Sequence, residues 1–212
     1  MATTRRRRSS EESRKIAIAA AREILISHGP QSVTLKAVAD RIGQTHANVL
    51  HHFGSAAALQ TALAEDITAT VCSMLELSTQ ARLAGIGTVR ESVEITFDAF
   101  DRHGGAALIA WLVMNGQQEA LGPLSSAIAG ITTVVDIDNK ALESRRRALL
   151  ATNLLAFADA LIGEKLAADL GIERDWLRDV AESMVQEAVA QEKQAGNVAD
   201  LKIGYGSKPG RA

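Results

Sequence analysis

The chain has little with which to cross-link, bind metal or break a helix. Of 212 residues, one is cysteine, three are proline and seven are aromatic. The lone Cys72 excludes an intramolecular disulfide and supplies no metal-ligand cluster. It reads as a small buried apolar residue, with a redox sensor as the alternative. With aromatics so scarce and 47% of residues hydrophobic, alanine and aliphatic side chains must fill the interior. Few prolines leave long stretches free to stay helical. The longest strongly apolar stretch, Ala106 to Met114, falls far short of the ~20 residues that span a bilayer. The start has four arginines but no apolar segment after them, as a secretory signal requires. These absences predict a soluble cytoplasmic protein without membrane contact. Enzyme motifs are missing too: Gly-x-Ser-x-Gly, the phosphate-binding P-loop, His-Glu-x-x-His and the paired Glu-x-x-His of ferritin-like carboxylate sites. A small helical enzyme is therefore the remote alternative, and no cofactor is expected.

What is present is a charge asymmetry. The net charge of −2 conceals nine Lys/Arg against four acids in residues 1–53, a net +5, so the remainder carries −7. A basic head on an acidic body suits a protein that offers one end to a polyanion. The blander alternative is a solvated basic tail with no partner.

The hydrophobic pattern is helical throughout, so the fold class predicted is all-α. Residues 1–9 read as a basic disordered arm. Ser10 opens a first helix, with Glu11 and Glu12 favoured near its N-terminus, and Gly29-Pro30 ends it near His28. Ser55 caps a fourth helix reaching about Thr79. Further helices are expected at about 88–103, 106–118, 124–135, 139–170 and 173–192. Gly85, Gly87, Gly104, Gly105, Gly122, Pro123 and Gly171 punctuate them. The domains drawn from this pattern are an arm over 1–9, a first helical segment over 10–55, a larger helical body over 56–195, and a flexible tail over 196–212.

Around Gly43 two short amphipathic patterns meet. The first is apolar at Leu35, Val38, Ala39 and Ile42 and is preceded by the capping hydroxyl of Thr34. The second runs from His46 to His52, with His46, Asn48 and His51 polar and Val49, Leu50 and Phe53 apolar and assigned to the core. Two helices joined by a tight Gly-containing turn describe a helix-turn-helix, which sets its second helix in the DNA major groove. His46, His51 and His52 are wrongly spaced for a shared metal, since helical ligands want i and i+3 or i+4, and no metal is expected.

Roughly residues 14–60 resemble the DNA-binding domain of the TetR family of transcriptional regulators. The resemblance rests on Ala20-Ala21-x-x-Ile24-Leu25-x-x-x-Gly29, Thr34-x-x-x-Val38-Ala39, Gly43, Leu50-His51-His52-Phe53-Gly54-Ser55 and Leu59. It implies an N-terminal three-helix reader followed by a helical body that binds an effector and dimerises. By carry-over, Lys36, Thr45, His46 and Asn48 face bases or phosphates, and His52 faces a phosphate. Asn48 has the amide geometry to pair with adenine N6 and N7. Thr34 offers a hydroxyl or amide to a phosphate, and His51 is equally a contact or an exposed bystander. The family pattern carries Tyr at Leu50 and Lys at Ala56. Both would touch phosphates, and Arg5, Arg6, Arg7 and Arg8 are the candidate compensation.

In the body, the resemblance implies an effector pocket, for which Phe97, Trp111, Asn115 and Asp159 are candidates. The apolar surroundings suggest an apolar or aromatic small molecule. Asp159, between two alanines in an apolar helix, needs a cationic partner if buried; the bland reading exposes it. The last two long helices carry apolar stripes wide enough for a second interface, with Leu154, Phe157, Leu161, Leu177, Val180 and Met184 as homodimer contacts. The function expected is a ligand-responsive regulator, a repressor binding a palindromic operator as a dimer. The alternative is a DNA-binding regulator of the same architecture, controlled by a protein partner without a small-molecule effector.

Overall fold

The computed structural model of the chain describes residues 10–122, 124–126 and 139–204. Among them there is helix and turn but no strand, so the fold is all-α, with an N-terminal helix-turn-helix and a helical C-terminal part. The helices are α1 (Ser10–His28), α2 (Leu35–Ile42), α3 (His46–Phe53), α4 (Ala56–Leu83), α5 (Val89–Phe100), α6 (Gly105–Met114), α7 (Asn139–Ala158), α8 (Glu164–Leu170) and α9 (Trp176–Gly204). A single π turn, Asp159–Gly163, joins α7 to α8. The expected helix over 139–170 is thus present, with a π turn inside it. The arginine arm and most of the helix expected over 124–135 lie outside the described residues.

The chain divides into two compact units: residues 1–73 with 98–124, and 74–97 with 125–212. The first holds the reader. Its core gathers Ala17, Ala21, Ile24 and Leu25 of α1, Leu35, Val38 and Ala39 of α2, Val49 and Phe53 of α3, Leu59 and Leu63 of α4, and Leu108 and Leu112 of α6. The alanines of α1 let neighbouring helices approach closely, which suits a core with few rings. The buried Gln60 amide donates to the Val33 carbonyl at 3.2 Å, tying the start of α4 to the loop before α2. Arg22 of α1 reaches Asp66 of α4 at 2.6 Å. Cys72 is partly buried, and burial pushes its thiol pKa upward, away from nucleophilic use.

The second unit is organised by α7 against α9. The buried positions of the two helices are mostly small, Ala141, Ala148 and Ala156 on one and Ala181 and Ala188 on the other, and Arg145 of α7 pairs with Glu192 of α9 at 3.3 Å. Thr88 and Glu91 form a reciprocal capping box that starts α5. The Thr88 N–H donates to Glu91 Oε2 at 3.1 Å, and the Glu91 N–H donates to Thr88 Oγ1 at 3.2 Å. Arg90 then joins α5 to the start of α9, donating to Glu94 and Asp175 at 2.6 Å and to Asp179 at 2.5 Å. Its hydrogen bond to Asp175, foremost among these, raises the guanidinium pKa further.

Several boundaries differ from the sequence reading. Helix α5 ends at Phe100 and α6 at Met114, each a few residues short of the expected end. Helix α9 starts later, at Trp176, and runs through Gly196 to Gly204. One interior glycine costs a helix only about 1 kcal/mol relative to alanine, and the preceding run Gln191-Glu192-Lys193-Gln194-Ala195 is made of good helix formers.

Candidate nucleic-acid interface

The reader is set by two caps and one left-handed glycine. Thr34 Oγ1 accepts from the Ala37 N–H at 3.1 Å and starts α2. Gly43, at φ 64°, ends it, and the Gln44 N–H returns to the Ala39 carbonyl at 2.9 Å. A side chain at this φ would be strained, so the turn needs glycine. Thr45 Oγ1 accepts from the Asn48 N–H at 3.2 Å and starts α3. The hydroxyls of Thr34 and Thr45 therefore serve first as caps. Each retains its own O–H to donate outward.

Helix α3 buries Val49 and Phe53 and exposes His46, Asn48, Leu50 and His51. Leu50, assigned to the core from sequence, lies on the exposed face because Val49 and Phe53 fill the inward positions. Lys36 is exposed on α2, and Thr34 and Thr45 are exposed beside it. His52 is half-buried. Its ring nitrogen Nδ1 lies 3.5 Å from Ser10 Oγ, and its carbonyl accepts from Arg14 Nη1 at 3.1 Å. The Arg14 guanidinium also covers the Phe53 ring, 4.5 Å from its centroid. Arg14 thereby fastens the end of α3 to α1.

The residues assigned to an effector fall in both units. Asn115 is exposed in the first, and its Nδ2 donates to the Trp111 carbonyl at 2.8 Å, closing the end of α6. Phe97 and Asp159 are buried in the second. Arg178 links these two: its guanidinium stacks 4.7 Å above the Phe97 ring and lies 3.8 Å from Asp159 Oδ2. Arg174 is the nearer partner, with Nε 3.1 Å from Asp159 Oδ1. The buried carboxylate thus has arginines of its own chain for partners. Among the residues assigned to dimerisation, Leu154 and Leu161 are exposed at 58% and 44%, while Phe157, Leu177, Val180 and Met184 are half-buried. Among the described residues no helix is long and apolar enough to cross a membrane, and no three His, Cys, Asp or Glu side chains converge on a metal-sized site.

Residues 17–63, from the middle of α1 into α4, match the family model for bacterial regulatory proteins of the tetR family. The reader is a TetR-family DNA-binding domain. No curated protein matches the chain. Solved structures similar to it include a single-substitution variant of TetR from Acinetobacter baumannii AYE in complex with minocycline. It is 21% identical at a TM-score of 0.49, covering 84% of this chain and 96% of that one. BioQ is also 21% identical, at a TM-score of 0.44, covering 82% and 96%. The superantigen PfiT is 18% identical at 0.49, covering 85% and 97%.

Two residues of this TetR-family reader escaped the sequence reading. Gln44, in the turn, accepts from Asn48 Nδ2 at 2.5 Å. The i, i+4 spacing of two amides at a helix start was the available signal. Arg14 was counted only as charge, and nothing local in the sequence pairs it with α3.

Proposed function

We propose that the chain is a ligand-responsive DNA-binding regulator, a repressor that grips a palindromic operator as a homodimer and is released by an apolar or aromatic small molecule. The observation that carries the DNA-reading half is α3 itself: a doubly anchored short helix presenting His46, Asn48 and His51 to solvent above buried Val49 and Phe53. Lys36, Thr34 and Thr45 flank it as phosphate-side groups, with His52 at its far end and Arg5–Arg8 ahead of α1. A helix of eight residues touches few base pairs, so tight binding calls for two readers about 34 Å apart.

The dimer reading rests on which residues α7 leaves uncovered. Its alanines Ala141, Ala148 and Ala156 are buried, while Leu150 and Leu154 of α7 and Leu161 of the π turn that follows remain exposed. An apolar stripe of this kind marks an interaction surface. Phe157, Leu177, Val180 and Met184 are proposed to complete it. We retain 10–55 as the reader and 56–195 as the effector and dimer region, flanked by the arm over 1–9 and the tail over 196–212. Release would follow if effector favoured a state with the wrong reader spacing. Phe97, Trp111, Asn115 and Asp159 remain the proposed effector residues. The cytoplasm is the corresponding location, and no catalytic role is assigned.

Asn48→Ala is expected to relax base preference at one position per half-site, costing about 1–3 kcal/mol of discrimination there. Gln44→Ala is expected to relax the same position by a smaller amount, because it frees the Asn48 amide to rotate. Selection of bound duplexes with each variant checks both; preference lost at a different position would contradict the pairing. Deleting residues 1–9 should weaken binding about equally on all sequences and reduce the slope of log affinity against log salt by roughly 0.9 per lost phosphate contact. An unchanged slope would remove the arm from the interface.

A further inference from the structure

The second compact unit contains a cleft of about 450 Å³ that none of the proposed reader, effector or dimer residues lines. Arg82 and Leu83 form one wall at the end of α4, Val89 of α5 lies beside them, and Gln186, Val189 and Lys193 of α9 face them. This volume lies in the range of pockets that hold small molecules. The lining combines an apolar surface with two cations and an amide, and it includes no carboxylate.

Residues beyond 53 carry a net −7, and several basic side chains of the unit are paired. Arg90 meets Glu94, Asp175 and Asp179, Arg145 meets Glu192, and Lys165 meets Asp169. Arg82 and Lys193 form no ion pair among the described residues. Arg82 does sit in the last turn of α4, where the helix dipole favours a cation, but a partial dipole charge leaves most of its charge uncompensated. Beside it Leu83 and Ile86 are exposed at 76% and 83%. Uncompensated positive charge next to uncovered aliphatic surface is complementary to a molecule with one anionic end and an apolar remainder.

We propose that this cleft binds a small amphipathic anion, a carboxylic acid of medium chain length. Its carboxylate would lie between Arg82 and Lys193, its chain would cover Leu83, Val89 and Val189, and the Gln186 amide, which donates to Glu182 at 2.8 Å, borders the site. The head group supplies orientation through charge-assisted hydrogen bonds, and the chain supplies burial. The site is separate from the effector residues proposed above and does not depend on DNA reading.

Calorimetric titration of the full chain, without DNA, with decanoate, decanol and decyltrimethylammonium tests this, each probe kept below its micellar concentration. Decanoate should saturate one site per chain and weaken with added salt, and the alcohol and the cation should bind at least about tenfold more weakly. The double substitution Arg82→Gln and Lys193→Gln should weaken decanoate at least about tenfold and leave decanol unchanged, and Arg82→Lys should retain most of the affinity. Val189→Trp, which fills the cleft without altering charge, should abolish binding of every probe. Arg82 is partly exposed and Lys193 exposed, so neutralising the two charges should move the thermal transition little. No saturable decanoate binding, equal binding of the three probes, or binding that survives in both the charge-neutralised and the filled variants would overturn the assignment.

Discussion

Replacing Leu154 and Leu161 together by glutamate is expected to yield a folded monomer that binds its operator at least about a hundredfold more weakly. Both side chains are exposed in the single chain, at 58% and 44%. Carboxylates there meet water in the monomer and cost little. In a two-fold dimer the same substitutions place four carboxylates in an apolar interface, where burying each unpaired charge costs several kcal/mol. They also remove the burial of four leucines, about 1.5–3 kcal/mol for each if fully covered. Separated protomers lose the gain from a linked second half-site, which is about 10²–10⁴ in affinity. Light scattering during gel filtration should give 22.5 kDa, with an unchanged helical circular dichroism signal. A variant that stays dimeric and binds DNA normally would move the interface elsewhere.

Gly163→Ala is expected to destabilise the second unit by about 3 kcal/mol, against the sign that helix propensity gives. Gly163 has ordinary helical angles, φ −62° and ψ −44°. On backbone grounds alanine there should stabilise by about 0.5–1 kcal/mol. The added Cβ, however, would lie 2.1 Å from Asp159 Oδ1 and 2.8 Å from its Cγ. The carboxylate must move, and it is the buried partner of Arg174 and Arg178. Breaking such a pair costs about 3–5 kcal/mol. The lower end applies because the Arg174 side chain is 30% exposed and can recover water. A double-mutant cycle isolates the cause: in an Asp159→Ala background, Gly163→Ala should be neutral or stabilising. Urea denaturation of the four proteins measures it. A stabilising Gly163→Ala in the otherwise unaltered chain would mean that the carboxylate does not occupy the π turn as described.

The reader was legible in the sequence because its determinants are local. Thr34, Gly43 and Ser55 act within four residues of themselves, and Leu35, Val38 and Ala39 show their face by spacing alone. Thr45 was located correctly at the start of α3, but its capping role was hidden behind its base-facing position. The body was legible as helices and much less in how they pack. The stripe through Leu150, Leu154, Phe157 and Leu161 announces an apolar face. Its spacing does not say that Ala148 and Ala156 are the buried positions instead, because that depends on which surface lies opposite. Asp159 was singled out as needing a cation, yet Arg174 reaches it only after the chain reverses at Gly171. Arg90 and Asp175 are 85 positions apart, beyond any periodic signal.

Whether α3 reads DNA as one of a symmetric pair is decided by selecting bound sequences from a random duplex pool, with the full chain at near-physiological salt. Two symmetric readers should enrich a palindrome whose half-sites lie about one helical turn, roughly 10 base pairs, apart or a multiple of that. Asn48→Ala should flatten preference at one position in each half. A folded dimer that enriches no sequence over the starting pool would contradict that reading of α3.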